Sequence, residues 1–228
     1  MKPSLLLLHG ALCKSTQFDL LKEKLIPYFE VRSFDFIGHS QELYEDVLDM
    51  SVLVRDITRY VDRMESDMCH IFGYSMGGYA AVSYATSQPK KLGNIVTLGT
   101  KWDWNPTSSS KEVAMLDPDM MAEKVPSYVA KLQAMFGENN WMNVVRNTAS
   151  LMHDLGHGGG LVEDDFRKIE TDVLILRGSE DKMVTAESSK EVASWLKNGT
   201  YKEIDGSPHP LEKVDMDVLV GEIVKFCG

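Results

Sequence analysis

The sequence predicts an α/β fold: a mostly parallel, six-stranded sheet with helices on both faces and a helical lid inserted late in the chain. Three observations predict it. Short apolar runs alternate with longer stretches whose apolar residues recur at helical spacing. Two of the runs, Asn94–Leu98 and Asp172–Leu176, are continuously apolar, as strands covered on both faces are. One long stretch, from Lys101 to about Asp165, interrupts the alternation and holds no convincing strand.

The elements follow in order. Ser4–Leu8 (SLLLL) is a buried strand closed by His9 and Gly10. Lys14–Leu25 carries Phe18, Leu21 and Leu25 at helical spacing, and Pro27 ends it. Val31–Phe36 alternates like a strand. Ser51 is expected to cap a helix over Val52–Met64, where Val54, Ile57, Tyr60, Val61 and Met64 share one stripe. Met68–Tyr74 is the next strand, and Met76–Thr86 is a helix stopped near Pro89. Asn94–Leu98 and Asp172–Leu176 are strands. Ala186–Leu196 is a helix, Thr200–Ile204 the last strand and Leu211–Phe226 the last helix.

The interrupting stretch holds Trp102, Trp104 and Trp141 of the four tryptophans, and much of the methionine. Its helical candidates are Ser110–Leu116, Pro118–Phe136 (two pieces, because Pro126 lies inside) and Asn140–Asp154. Residues 101–165 are therefore expected to form a lid, and residues 1–100 and 166–228 the core. The lid's underside is expected to be apolar whether it moves or only packs.

Bulk numbers narrow the function. The 228 residues are 43% hydrophobic and 25% charged, enough to bury a core and too apolar for disorder. The net charge of −10, with no Lys/Arg cluster, argues against nucleic acid and anionic membranes as partners. Cys13, Cys69 and Cys227 are odd in number and far apart, which is neither a disulfide framework nor a zinc pattern. The opening MKPSLLLLHG is too short in its apolar part for a signal peptide, and no run approaches the length of a membrane span. A cytoplasmic protein acting on a small molecule is expected.

The chemistry centres on Gly73-Tyr74-Ser75-Met76-Gly77, which fits G-x-S-x-G between an apolar strand and a helix. That context puts Ser75 on a sharp, strained turn at a helix N-terminus, and the glycines leave room for it. A serine hydroxyl needs a base, and the base needs an orienting acid. Asp181 and His209 fall in the loops after the fifth and sixth strands, in the order serine, acid, histidine. The turn His9-Gly10-Ala11-Leu12 can aim the Ala11 N–H at an oxyanion beside the Met76 N–H.

With LLLLHGA, DFIGHS (Asp35–Ser40), GYSMGG, LRGSEDKMV and GSPHP in this order, the chain resembles the α/β-hydrolase family. The resemblance spans nearly the whole chain. It implies a nucleophile at Ser75, an acid at Asp181, a base at His209 and an oxyanion hole at Ala11 and Met76. It also implies a helical lid at Lys101–Asp165 and a compact member lacking the family's two leading antiparallel strands.

Some residues have rivals. Glu180 neighbours Asp181, and Asp103 follows the fourth strand, where a minority of the family carries the acid. Pro210 after His209 removes a donor and stiffens the loop. His9 and His39 are expected to hydrogen-bond backbone in turns, and His70 to be a satisfied core residue. His153, Asp154 and His157 have no HExxH and end in GHGGG, so no metal is expected there. Cys13 is expected to pack as a small hydrophobe. Trp102, Trp104 and Met183 are the candidate pocket residues.

The expected activity is a serine hydrolase cleaving a small ester or thioester through an acyl-enzyme, with an apolar acyl group and no cofactor. Hydrolysis of a C–C bond or a lyase reaction with the same triad is an alternative. A ligand-binding sensor that turns over slowly is another.

Overall fold

The computed structural model describes residues 2–40, 43–44 and 46–228. Six strands form one sheet: β1 Ser4–Leu8, β2 Glu30–Ser33, β3 Cys69–Tyr74, β4 Leu92–Leu98, β5 Val173–Gly178 and β6 Gly199–Ile204. Their order is β2-β1-β3-β4-β5-β6, and every pairing is parallel. Parallel strands require crossovers, and helices supply them. The strand order reverses between β1 and β3: β2 is added on one side of β1 and β3 on the other. Ligand sites in such sheets lie at that switch point, beyond the carboxyl ends of the strands.

The pleat sorts the core into two layers. Leu5 and Leu7 of β1 pack with Phe18, just before α1 (Asp19–Leu25), with Leu21 of α1, and with Leu219 and Ile223 of α10 (Met216–Cys227). Leu6 and Leu8 face the other way, against α2 (Met50–Asp62), α3 (Met76–Ala85) and α9 (Ala186–Trp195). All four leucines are fully buried. The strand is continuously apolar because both of its faces are inside. A register shift between Cys69 and Ile71 disturbs the β3–β4 ladder, and His70 fills the gap: its Nδ1 accepts from the Asn94 N–H at 2.9 Å.

Between β4 and β5 come α4 Pro106–Val113, α5 Pro118–Lys124, α6 Pro126–Phe136, α7 Trp141–Asp154 and α8 Glu163–Arg167. The expected break at Pro126 is present. Most of this insert has its own small core of Met121, Leu132, Phe136, Trp141 and Val144, which meets the rest of the molecule at Leu12. Helix α8 does not belong to that cluster; its Phe166 packs with Trp102 and Ile169 in the main core.

Several expected boundaries move, for local reasons. Asp49, not Ser51, caps α2: its carboxylate accepts the Val52 N–H, and Ser51 Oγ donates to the same carboxylate at 2.6 Å. Strand β2 ends at Ser33 rather than Phe36, because β1, its neighbour among the described residues, pairs no further than Leu7↔Ser33. Beyond it Phe36 turns into the core, and its N–H goes to His9 Nε2. The first helix begins as a 3-10 turn over Ser15–Phe18. Helix α4 starts at Pro106 rather than Ser110, because Asn105 and Ser108 form a capping box with Pro at the first helical position. The last helix is split. Leu211–Lys213 is a 3-10 turn, and Asp215 caps a fresh start at Met216.

The capping assignment is testable. Asp49→Ala should lower stability in urea melts by about 1 kcal/mol, and Ser51→Ala by clearly less.

Candidate active site

The site begins with a backbone constraint. Ser75 sits at φ 52°, ψ −116°, in the positive-φ region that non-glycine residues rarely adopt. Neighbours over-determine that conformation. The Ser75 N–H donates to the Leu98 carbonyl at 2.9 Å. Its own carbonyl accepts from the Gly78 N–H at 3.0 Å, the Tyr79 N–H at 3.2 Å and Thr100 Oγ1 at 3.1 Å. Two glycines make the turn sterically feasible. A Cβ at Gly77 would stand 2.1 Å from the Leu8 carbonyl oxygen, and one at Gly73 would stand 2.5 Å from the Gly77 carbonyl oxygen and Gly78 backbone. Helix α3 thus lies almost on β1.

Asp181 follows β5 and is buried; His209 follows β6. Asp181 Oδ2 accepts from His209 Nδ1 at 2.7 Å. Asp181 Oδ1 accepts the N–H groups of Met183 at 2.8 Å and Val184 at 3.0 Å. Burial pushes this carboxyl upward in pKa. The hydrogen bond and charge of His209 and the two N–H donors outweigh burial, so its pKa lies below the ordinary value. The two loops are also stitched together: the Glu180 N–H donates to the Ser207 carbonyl at 3.0 Å, and the Gly206 N–H to Ser179 Oγ at 2.8 Å. Glu180, the neighbouring rival, points to solvent. Asp103, the other rival, pairs with Lys101 at 3.1 Å.

A buried neutral histidine shapes the turn after β1. His9 Nε2 accepts from the Phe36 N–H, so Nδ1 carries the proton and donates to the Gly10 carbonyl at 2.8 Å. Burial lowers the His9 pKa to about 4. His39 departs from expectation, since its partner is a side chain: Thr148 Oγ1 of α7 lies 3.2 Å from its Nε2.

Ser75 and His209 line two adjoining cavities, with Ala11 and Met183 at both. Met76 lines the first. That cavity is largely apolar, walled by Met50, Tyr79, Trp104, Leu151 and Leu155. Its charged members, Lys101 and Glu112, are 3.9 Å apart. The second is more polar, with Cys13, Gln17, Tyr128, Thr148 and Glu212. Cys13 therefore lines a cavity instead of packing as a small hydrophobe. Burial and the Glu212 charge push its thiol up to about 11, so it stays protonated at neutral pH. Of the three candidate pocket residues, Trp104 and Met183 reach the first cavity. Trp102 does not: it turns into the core against Tyr79 and Phe166, with ring centroids 5.6 and 5.9 Å away. Strand β4 ends at Leu98, so the two tryptophans lie beyond the strand.

A family model described as serine aminopeptidase, S33, matches residues 1–213. The chain is an α/β hydrolase of this family. It is 24% identical over 231 residues to human monoglyceride lipase, covering 90% of this chain and 74% of that one. It is 23% identical over 154 residues to the sn-1-specific diacylglycerol lipase ABHD11 of Xenopus laevis, covering 67% of this chain. It spans only 44% of the length of that frog relative. Among solved structures, 2-hydroxy-6-oxo-6-phenylhexa-2,4-dienoate hydrolase from Rhodococcus superposes with a TM-score of 0.77 at 20% identity, covering 99% of this chain and 90% of that one. This hydrolase has no helix, among the described residues, long and apolar enough to cross a membrane.

The sequence reading missed Gly99. It holds φ +61°, and a Cβ there would stand 3.3 Å from the His209 ring and 3.5 Å from Asp181 Oδ2. The pattern T-L-G after a strand is common, and only the fold shows the imidazole beside it. Gly99→Ala should cost about 1–2 kcal/mol from the backbone alone, read as a lowered Tm.

Proposed function

We propose that this α/β hydrolase cleaves a small carboxylic ester or thioester through an acyl-enzyme on Ser75. The observation that carries the reading is the 2.7 Å hydrogen bond from His209 Nδ1 to buried Asp181. It fixes the imidazole tautomer and leaves Nε2 as the proton acceptor, in a cavity lined by both His209 and Ser75. Ser75 Oγ attacks the carbonyl carbon as His209 takes its proton. The N–H groups of Ala11 and Met76 hold the oxyanion; Met76 opens α3, where the first N–H groups have no intrahelical partner. The C–O or C–S bond then breaks, and His209 gives the proton to the leaving alcohol or thiol. Water, deprotonated by His209, attacks the acyl carbon, releases the acid and restores Ser75.

The apolar cavity suits the acyl group and the polar one the leaving alcohol. Methionine walls adapt to irregular apolar shapes. Residues 101–165 act as the lid: Trp104, Leu151 and Leu155 come from them and wall the acyl cavity. The lipase names among its relatives favour acyl chains of this kind.

The test is a fluorophosphonate probe, read by intact mass, with turnover of p-nitrophenyl esters. Wild type should gain one adduct, and Ser75→Ala none. Ester turnover should fall by about 10⁶-fold in Ser75→Ala and by about 10⁴-fold in Asp181→Asn. Absence of an adduct on the wild type would overturn the reading and favour a binding protein. A second expectation concerns the acyl cavity: Leu155→Trp should shorten the longest acyl chain accepted, measured as kcat/KM across an ester series.

A further inference from the structure

Asp181 and His209 both stand on loops, yet a carboxylate and an imidazole need fixed relative positions to share one proton. Two buried side chains, each rooted in a strand, reach the main chain of these two residues. Tyr74, the last residue of β3, donates its hydroxyl to the His209 carbonyl at 2.9 Å, and its ring lies 5.6 Å from the imidazole. Tyr74 is itself pinned: a Cβ at Gly10 would stand 2.8 Å from its ring. Arg177, in β5, encloses the acid turn. Its Nη2 donates to the Asp181 carbonyl at 2.6 Å and its Nε to the Val184 carbonyl at 2.7 Å. Nη1 is shared between Glu203 Oε1 at 3.2 Å and the Ser179 carbonyl at 3.4 Å.

The charge of Arg177 is already met by Glu203. Its remaining donors grip the carbonyls of the segment that presents Asp181. That segment also supplies the Met183 and Val184 N–H groups that hold Asp181 Oδ1. The planar fork is what lets one side chain span Asp181 and Val184; a lysine ammonium on its flexible stem has no such fork. Tyr74 treats the base loop likewise, through the backbone of His209 itself.

We propose that Tyr74 and Arg177 are positioning residues for the Ser75 reaction: Tyr74 tethers His209, and Arg177 tethers Asp181, each by its backbone carbonyl. The proposal rests on the Ser75 reading above. Neither side chain exchanges a proton with the substrate. Tyr74 also lines the polar cavity, so the competing role for it is a contact with the leaving group.

Tyr74→Phe and Arg177→Lys separate these roles. Four readouts are compared with wild type: the rate of fluorophosphonate labelling, kcat and KM for esters of several alcohols, Tm, and the downfield imidazole proton shared by His209 and Asp181 in proton NMR. Tyr74→Phe loses one hydroxyl and keeps the ring. It should slow labelling by about fivefold to tenfold, the worth of one buried hydrogen bond. It should lower kcat by the same factor for every ester and leave KM unchanged. Arg177→Lys should slow labelling by about tenfold and broaden or shift the downfield proton. A merely structural role would lower Tm and leave the labelling rate and the downfield proton of the folded protein as in wild type. That result overturns the proposal. A KM change in Tyr74→Phe that follows the alcohol also overturns it for Tyr74. If wild type takes no probe, the Ser75 reading fails. The downfield proton then decides the tethers alone, and its persistence unchanged in both variants overturns them.

Discussion

The rest of the site depends on how closely α3 approaches the sheet. Gly77 brings the helix to within a hydrogen atom's room of the Leu8 carbonyl, and Gly73 brings the end of β3 against the same first turn. No other residue type fits these contacts, because a single Cβ would overlap backbone that cannot move aside. This approach forces the chain to reverse over one residue, and Ser75 takes the strain at φ 52°. A positive φ costs a non-glycine residue on the order of 1–3 kcal/mol. The hydrogen bonds to Leu98, Gly78, Tyr79 and Thr100 supply the offset. The strain is useful because it lifts the hydroxyl off the sheet, out of the ladder and into the cavities.

The insert is attached to this frame by a polar seam as well as by its core. Along α7, Asn143 and Asn147 both donate to the Tyr44 carbonyl, at 2.7 and 3.1 Å. Asn140, just before the helix, donates to the Ser40 carbonyl at 3.0 Å. Thr148 meets His39. Three amide side chains at helical spacing thus satisfy the carbonyls of Ser40 and Tyr44, and the Thr148 hydroxyl meets the buried His39 imidazole. An irregular segment has main-chain groups that no ladder satisfies, and burying them without partners is costly. The insert supplies the partners, and in return that segment fixes α7. Helix α7 and the turn after it then contribute Leu151, Met152 and Leu155 to the apolar cavity.

Much of this was legible in the sequence. The six strands and the two-piece helix at Pro126 follow from apolar runs and one proline. The placement of Ser75 at a strand-to-helix turn, and of Asp181 and His209 in the loops after β5 and β6, follows from a glycine-flanked serine and the order of the strands. What was not legible depends on where elements end and on which side chains meet, near or far in the chain, and residue type alone sets neither. Trp102 and Trp104 look alike in sequence, and only the end of β4 at Leu98 decides that one enters the core. Asp49 and Ser51 are both good caps, and a side-chain hydrogen bond between them decides which one serves. His39 finds its partner 109 residues away. Arg177 reads as a charge at a strand end, and nothing nearby in the sequence marks it as buried.

The distribution of charge bears on how such an acidic chain would suit the carbonyl chemistry proposed for it. A net charge of −10 opposes the building of negative charge on a substrate oxygen. Two of the acids around the site are answered locally. Asp181 is answered by His209 and two N–H groups, and Asp103 by Lys101. The groups that would meet an oxyanion are backbone dipoles, at the N-terminus of α3 and in the turn at Ala11. Dipoles held by the fold need no reorganisation when charge develops, and their effect is largest where water is scarce. Met50, Tyr79 and Leu151 give one wall of the site an apolar surface. Long-range charge is screened over about 8 Å at physiological salt, so the surface acids act mainly on solubility. In the proposed reaction the oxyanion would be governed by donors in direct contact with it: the Met76 N–H follows the turn that strains Ser75, and the Ala11 N–H lies in the turn after β1.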